Sequence, residues 1–175
     1  MVWGANMGKR RRLSREEIET RKAFYTTVGQ GISNWTRVEG RLIHIAACLL
    51  GSSVEKTGAI FYSVLNFHTW LGIIDELFML DPRFTVARND WNKLASKLRA
   101  LNDTRVRLAH HTASYVSDDE VVTKPFLKPA KEDTRSKSKA YKPLEAVQIV
   151  AFTNATNDIS VNLAAMLLAL RELSA

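Results

Sequence analysis

Arg105 stands where a charge is expensive. On a helix turning about 100° per residue, Leu94, Leu98, Leu101, Arg105 and Leu108 fall within roughly 80° of one another. The guanidinium therefore lies in an apolar stripe, where it keeps its proton and has to be paired. Glu39 is the natural partner. It lies at the margin of the apolar face of an earlier helix, one turn after Trp35, and an ion pair between the two segments is expected. Such a pair has two uses. It can fix helix register, being about neutral in net stability but costing roughly 3–5 kcal/mol to break when buried. It can also orient a cation toward an anionic group.

Two imidazoles follow at the end of the same helix. His110 lies about 140° round from Arg105, and His111 about 120° the other way. A histidine titrating near neutrality can act as general acid or base. A histidine at a helix C-terminus is equally explained by the helix dipole. Asp103 shares a face with Arg107 and His110, so it either orients His110 or makes an ordinary i,i+4 pair with Arg107. His68 reads as a core residue beside Phe61 and Leu65. Cys48 reads as a small packing residue.

The elements that hold these residues follow a 3.6-residue period. Ser14 with Glu17 forms a capping box, opening a helix that is loosened or kinked at Gly29 and Gly31 and resumes to Leu50. Ser52 with Glu55 offers a second box. The helix over about 53–80 is apolar over most of its circumference, as expected of a segment central in a bundle or covered by a second subunit. Asp81-Pro82 stops it. A third helix spans about 86–111. The segment 112–127 reads as a short hairpin turning at Ser117-Asp118-Asp119-Glu120, and a polar, lysine-rich loop follows it. Pro143 suits the first turn of a last helix. The expectation is an all-α bundle of four to five helices with a hairpin and loop insertion, 112–142, before the last helix. A basic flexible tail, 1–13, precedes a single domain, 14–175.

With 175 residues the chain can bury a sizeable core. One cysteine excludes an intrachain disulfide, and no Cys or His pair has zinc-ligand spacing, so no metal or other cofactor is called for. No run of 18 apolar residues and no signal-peptide pattern is present, which reads as a cytoplasmic protein without a membrane partner. The net charge of +7 is concentrated. Lys9, Arg10, Arg11 and Arg12 contribute +4. The segment 124–142 contributes +5, with Lys124, Lys128, Lys131 and Arg135 among its bases, and leaves the folded body slightly acidic. These segments are either solvated surface or arms that hold nucleic-acid phosphates.

The stretch LNDTRVRLAHH resembles the signature of HEPN domains, the helical "higher eukaryotes and prokaryotes nucleotide-binding" superfamily, in which an arginine is followed a few residues later by histidine near the end of a long helix. Arg105 and His110 fit this spacing, as do Arg105 and His111. The segment ISNWTRVEGRLIHIAACLLG, with Trp35 and Glu39, resembles an earlier helix of the family, and the likeness extends over roughly residues 28–125. Val106 departs from the polar residue usual after the arginine in catalytic members. The resemblance implies a metal-independent endoribonuclease of a toxin–antitoxin or phage-defence type system, acting as a homodimer on RNA, with an antitoxin protein as partner. Glu39 would orient Arg105, and His110 or His111 would move protons. A non-catalytic helical dimer, serving as an interaction or adaptor module with Arg105–Glu39 as its structural bridge, is the rival reading.

Overall fold

The computed structural model describes residues 12–115, 124–129 and 142–174. The chain is mostly helical. Its helices are α1 (Arg15–Leu50), α2 (Val54–Ser63), α3 (Phe67–Leu80), α4 (Arg88–His110) and α5 (Ala146–Ser174), with a 3-10 turn at Pro82–Ala87. Three short strands, β1 (His111–Ser114), β2 (Phe126–Pro129) and β3 (Leu144–Glu145), form an antiparallel sheet in the order β1-β2-β3.

The capping box at the start of α1 forms as its sequence indicates: Glu17 N–H donates to Ser14 Oγ, and Ser14 N–H to Glu17 Oε2. Helix α1 runs unbroken through Gly29 and Gly31 over its 36 residues. Gly31 is used for packing instead. A Cβ there would lie 3.0 Å from Leu108 Cδ2 and 3.1 Å from Thr153 Oγ1, so glycine lets α4 and α5 close on α1. Helices α1 and α5 run side by side and parallel, since Asn34 Nδ2 donates to the Thr153 carbonyl and Arg41 to that of Ser160. Gly51, at φ 60°, ends α1 in the left-handed conformation that favours glycine.

The single helix expected over 53–80 is two helices. Val64 is extended, its carbonyl accepting from Trp70 Nε1 at 2.8 Å, and Asn66 caps α3 by accepting from His68 N–H. Side-chain hydrogen bonds to the backbone thus outcompete continuation of the helix. Ser53, not Ser52, caps α2, accepting from Lys56 N–H. The break also moves His68: it is exposed rather than in the core, and Leu65 is fully exposed.

The core runs between α1, α3, α4 and α5, with Trp91, Phe78, Phe84, Leu42 and Leu163 among its fully buried side chains. The hairpin after α4 forms with a third strand that the sequence pattern did not indicate. Its expected turn at 117–120 lies outside the described residues, as do Lys131 and Arg135. Pro143 precedes β3, and α5 begins only at Ala146, where Gln148 Oε1 accepts from Glu145 N–H. Among the described residues, no helix is long and apolar enough to cross a membrane.

Candidate functional site at the end of α4

The site is built from Trp35 outward. Trp35 is buried, stacked on Phe152 at 5.9 Å and tilted against Phe67 at 4.8 Å. Its indole N–H donates to Glu39 Oε1 at 2.7 Å, one turn along α1. Arg105 Nη2, arriving from α4, donates to the same oxygen at 3.2 Å. The expected Glu39–Arg105 ion pair is therefore present, with the tryptophan as a third member. Its burial is incomplete: the Glu39 side chain is 18% exposed and that of Arg105 is 35% exposed.

One turn before Arg105, Asn102 is buried, and its Nδ2 lies 3.4 Å from His68 Nε2. Asn102 Oδ1 has no hydrogen-bond partner among the described residues. His68, dismissed on its apparent helix face, thus adjoins the site. The signal that could have found it is Asn66, whose type marks a helix start two residues earlier.

The two expected histidines separate. His110 is the last residue of α4 and is exposed. On the continuous helix it stays about 140° round from Arg105. His111 leaves the helix with φ −90° and ψ 153°, its N–H donating to the Arg107 carbonyl, and is half-buried as the first residue of β1. Arg107 does not pair with Asp103 as an i,i+4 neighbour. Its Nη2 donates to the Pro143 carbonyl at 2.6 Å, tying the end of α4 to the entry of α5. Burial lowers its pKa, with the Asp103 charge opposing that shift.

Of the basic residues assigned to phosphate contact, Lys124 and Lys128 are described, and both are exposed. The β1–β2 register sets Lys128 opposite Thr112 and Pro129 opposite His111, so the sheet brings Lys128 beside the end of α4. On the far side of β1, Tyr115 carries Arg21 over its ring at 4.0 Å. Burial, with Tyr25 adding to it, pushes the Tyr115 phenol up to about 12.

A second bracket of the same composition joins α3 to α4. Trp91 Nε1 donates to Asp75 Oδ1 at 2.7 Å, and Arg99 Nη2 to Asp75 Oδ2. The sequence reading missed it. Its signal was Asp75 itself, an acid following Ile73 and Ile74 on a strongly apolar helix.

Comparison of the chain with protein-family models, with curated proteins and with solved structures returned no match.

Proposed function

We propose that this chain is a HEPN-like helical domain acting as a metal-independent endoribonuclease, with Arg105 as its phosphate-binding group. The observation that carries this reading is the incomplete closure of the Glu39 bracket. Trp35 and Arg105 both bond Oε1, Glu39 Oε2 accepts no hydrogen bond from a described residue, and a third of the Arg105 side chain is exposed. Arg105 is thus held in place yet keeps N–H donors for another anion.

RNA supplies its own nucleophile. The ribose 2′-oxygen attacks phosphorus as its proton passes to a histidine. The bond from phosphorus to the 5′-oxygen breaks, and that oxygen takes up a proton. Arg105 donates to the non-bridging oxygens as charge builds on them. In this reading His110, exposed at the helix end, is the proton carrier, and Lys128 with Lys124 contacts flanking phosphates. A homodimer with two such sites, and an antitoxin protein restraining it, belong to the same proposal.

The test is RNA cleavage by the purified chain in EDTA beside Arg105→Ala and His110→Ala. Cleavage by the wild type, reduced about 10²-fold or more in each variant, supports the reading. Intact RNA with the folded wild type rejects it.

A second reading, a non-catalytic adaptor in which the pair is structural, is favoured by one observation: a Trp–carboxylate–Arg bracket recurs at Asp75, away from the motif. It expects no cleavage and a loss of thermal stability in Arg105→Ala.

A further inference from the structure

Moving a phosphodiester from one oxygen to another calls for proton carriers on two sides. The attacking and leaving oxygens lie on opposite sides of phosphorus, and a proton carrier has to come within roughly 3 Å of its own oxygen. His110 can serve one side. The chain has three other histidines. His44 acts on Glu55 at the start of α2, and His111 leaves α4 for the sheet. His68 is the one that reaches α4 near Arg105, through Asn102.

The fold holds His68 there by the same indole that orients the guanidinium. Asn66 caps α3 by accepting from His68 N–H at 2.8 Å. Phe67, the next residue, packs on Trp35 with ring centroids 4.8 Å apart. Trp35 in turn bonds Glu39, and Glu39 bonds Arg105. His68 is itself exposed, and its Nε2 lies 3.4 Å from Asn102 Nδ2. Asn102 is only 8% exposed, and one end of its amide has no partner among the described residues. Such an amide can meet the ring in either charge state. Its NH2 donates to a bare ring nitrogen, and after a half-turn its oxygen accepts from a ring N–H. The contact positions the imidazole without fixing its proton, as a proton carrier requires.

The two histidines bracket Arg105 along α4. Asn102, which holds His68, precedes Arg105 by about 4.5 Å of helix, and His110 follows it by about 7.5 Å. Both are displaced the same way round the helix, by about 60° and 140°. A phosphate on Arg105 would therefore have an imidazole toward each end of the helix.

We propose that His68 is a second proton carrier of this site, paired across the phosphate with His110, and that Asn102 is its positioning residue. One imidazole, unprotonated, takes the proton of the ribose 2′-hydroxyl as that oxygen bonds to phosphorus. The other, protonated, gives its proton to the 5′-oxygen as the bond from phosphorus to that oxygen breaks. The products are a 2′,3′-cyclic phosphate and a 5′-hydroxyl. Proton exchange with water then restores both rings.

This inference rests on the nuclease reading, and the experiment separates the two. RNA cleavage in EDTA is measured across neutral pH for the wild type, His68→Ala, His68→Gln and His110→Ala. Glutamine can still bond the Asn102 amide but cannot carry a proton. Both His68 variants are expected to lose about 10²-fold or more in kcat, with unchanged helical circular dichroism. The wild-type pH profile is expected to be bell-shaped, with one limb lost in His68→Ala and the other in His110→Ala. Cleavage by the wild type that His68→Ala leaves intact, or that His68→Gln restores, overturns the role of His68 and leaves the nuclease reading standing. Loss of the same limb in both alanine variants also overturns the pairing. Intact RNA with the folded wild type overturns both.

Discussion

Two Trp–carboxylate–Arg brackets occur among the described residues, and they use their carboxylate oxygens differently. At Asp75 each carboxylate oxygen has its own donor, Trp91 on Oδ1 and Arg99 on Oδ2. At Glu39 both donors converge on Oε1. The first arrangement uses both carboxylate oxygens in joining α3 to α4. The second joins α1 to α4 and keeps an acceptor oxygen and arginine N–H groups in reserve, beside a buried asparagine and a surface histidine. Similar residue composition therefore comes with different hydrogen-bond use. What separates a brace from a candidate site is the polar capacity left over after the brace is made.

The largest expected effects fall on the indoles. Trp91 is fully buried and Trp35 nearly so. Each replacement by alanine is expected to cost about 3–5 kcal/mol, read by urea denaturation. The brackets should then diverge in the phenylalanine variants, which keep most of the packing and lose the N–H. Trp91→Phe strips Asp75 Oδ1 of its donor, whereas Trp35→Phe leaves Glu39 Oε1 held by Arg105. If Trp91→Phe proves no more destabilising than Trp35→Phe, the claim that the Asp75 bracket is the more completely used of the two is wrong.

Gly31→Ala comes next and acts at the Glu39 end alone. Its Cβ would press on Leu108 and Thr153, and overpacking of this kind costs about 1–3 kcal/mol. Gly40→Ala, on the same helix with nothing within 4 Å of the added carbon, is expected to stabilise by about 0.5–1 kcal/mol. Thermal melts of the two variants should move in opposite directions. A stabilised Gly31→Ala would show that α4 and α5 do not need the close approach.

The Glu39 bracket could be read from sequence because its arginine violates a pattern, a charge amid leucines on an otherwise regular helix. Asp75 violates a pattern too, but on a segment so apolar that a single acid was absorbed into the stripe. The misplacement of His68 came from the same segment. Treating 53–80 as one helix carried its angular register through Val64–Asn66, where Trp70 and Asn66 bond the backbone and break it. Long periodic helices such as α1 and α4 can be read because many residues vote on their phase. The two-residue strand β3 has no such vote, and its existence depends on pairing with β2, fifteen or more residues away in the chain.

The smallest effect is the most discriminating. In double-mutant cycles, Glu39→Gln with Arg105→Gln and Asp75→Asn with Arg99→Gln each report the coupling within one bracket. Both pairs are partly exposed, so each coupling is expected at about 0.2–1 kcal/mol, falling with added salt. An anion that engages Arg105 should change the first cycle and leave the second alone, because it competes with Glu39 for the Arg105 N–H groups. Repeating both cycles with a short single-stranded RNA, measured by thermal denaturation, makes this visible. The wild type should gain stability with RNA, and Arg105→Gln should gain none. Asp75→Asn and Arg99→Gln should gain as much as the wild type. Equal RNA responses in all variants would place the nucleic acid elsewhere and reduce Glu39–Arg105 to a second copy of the Asp75 brace.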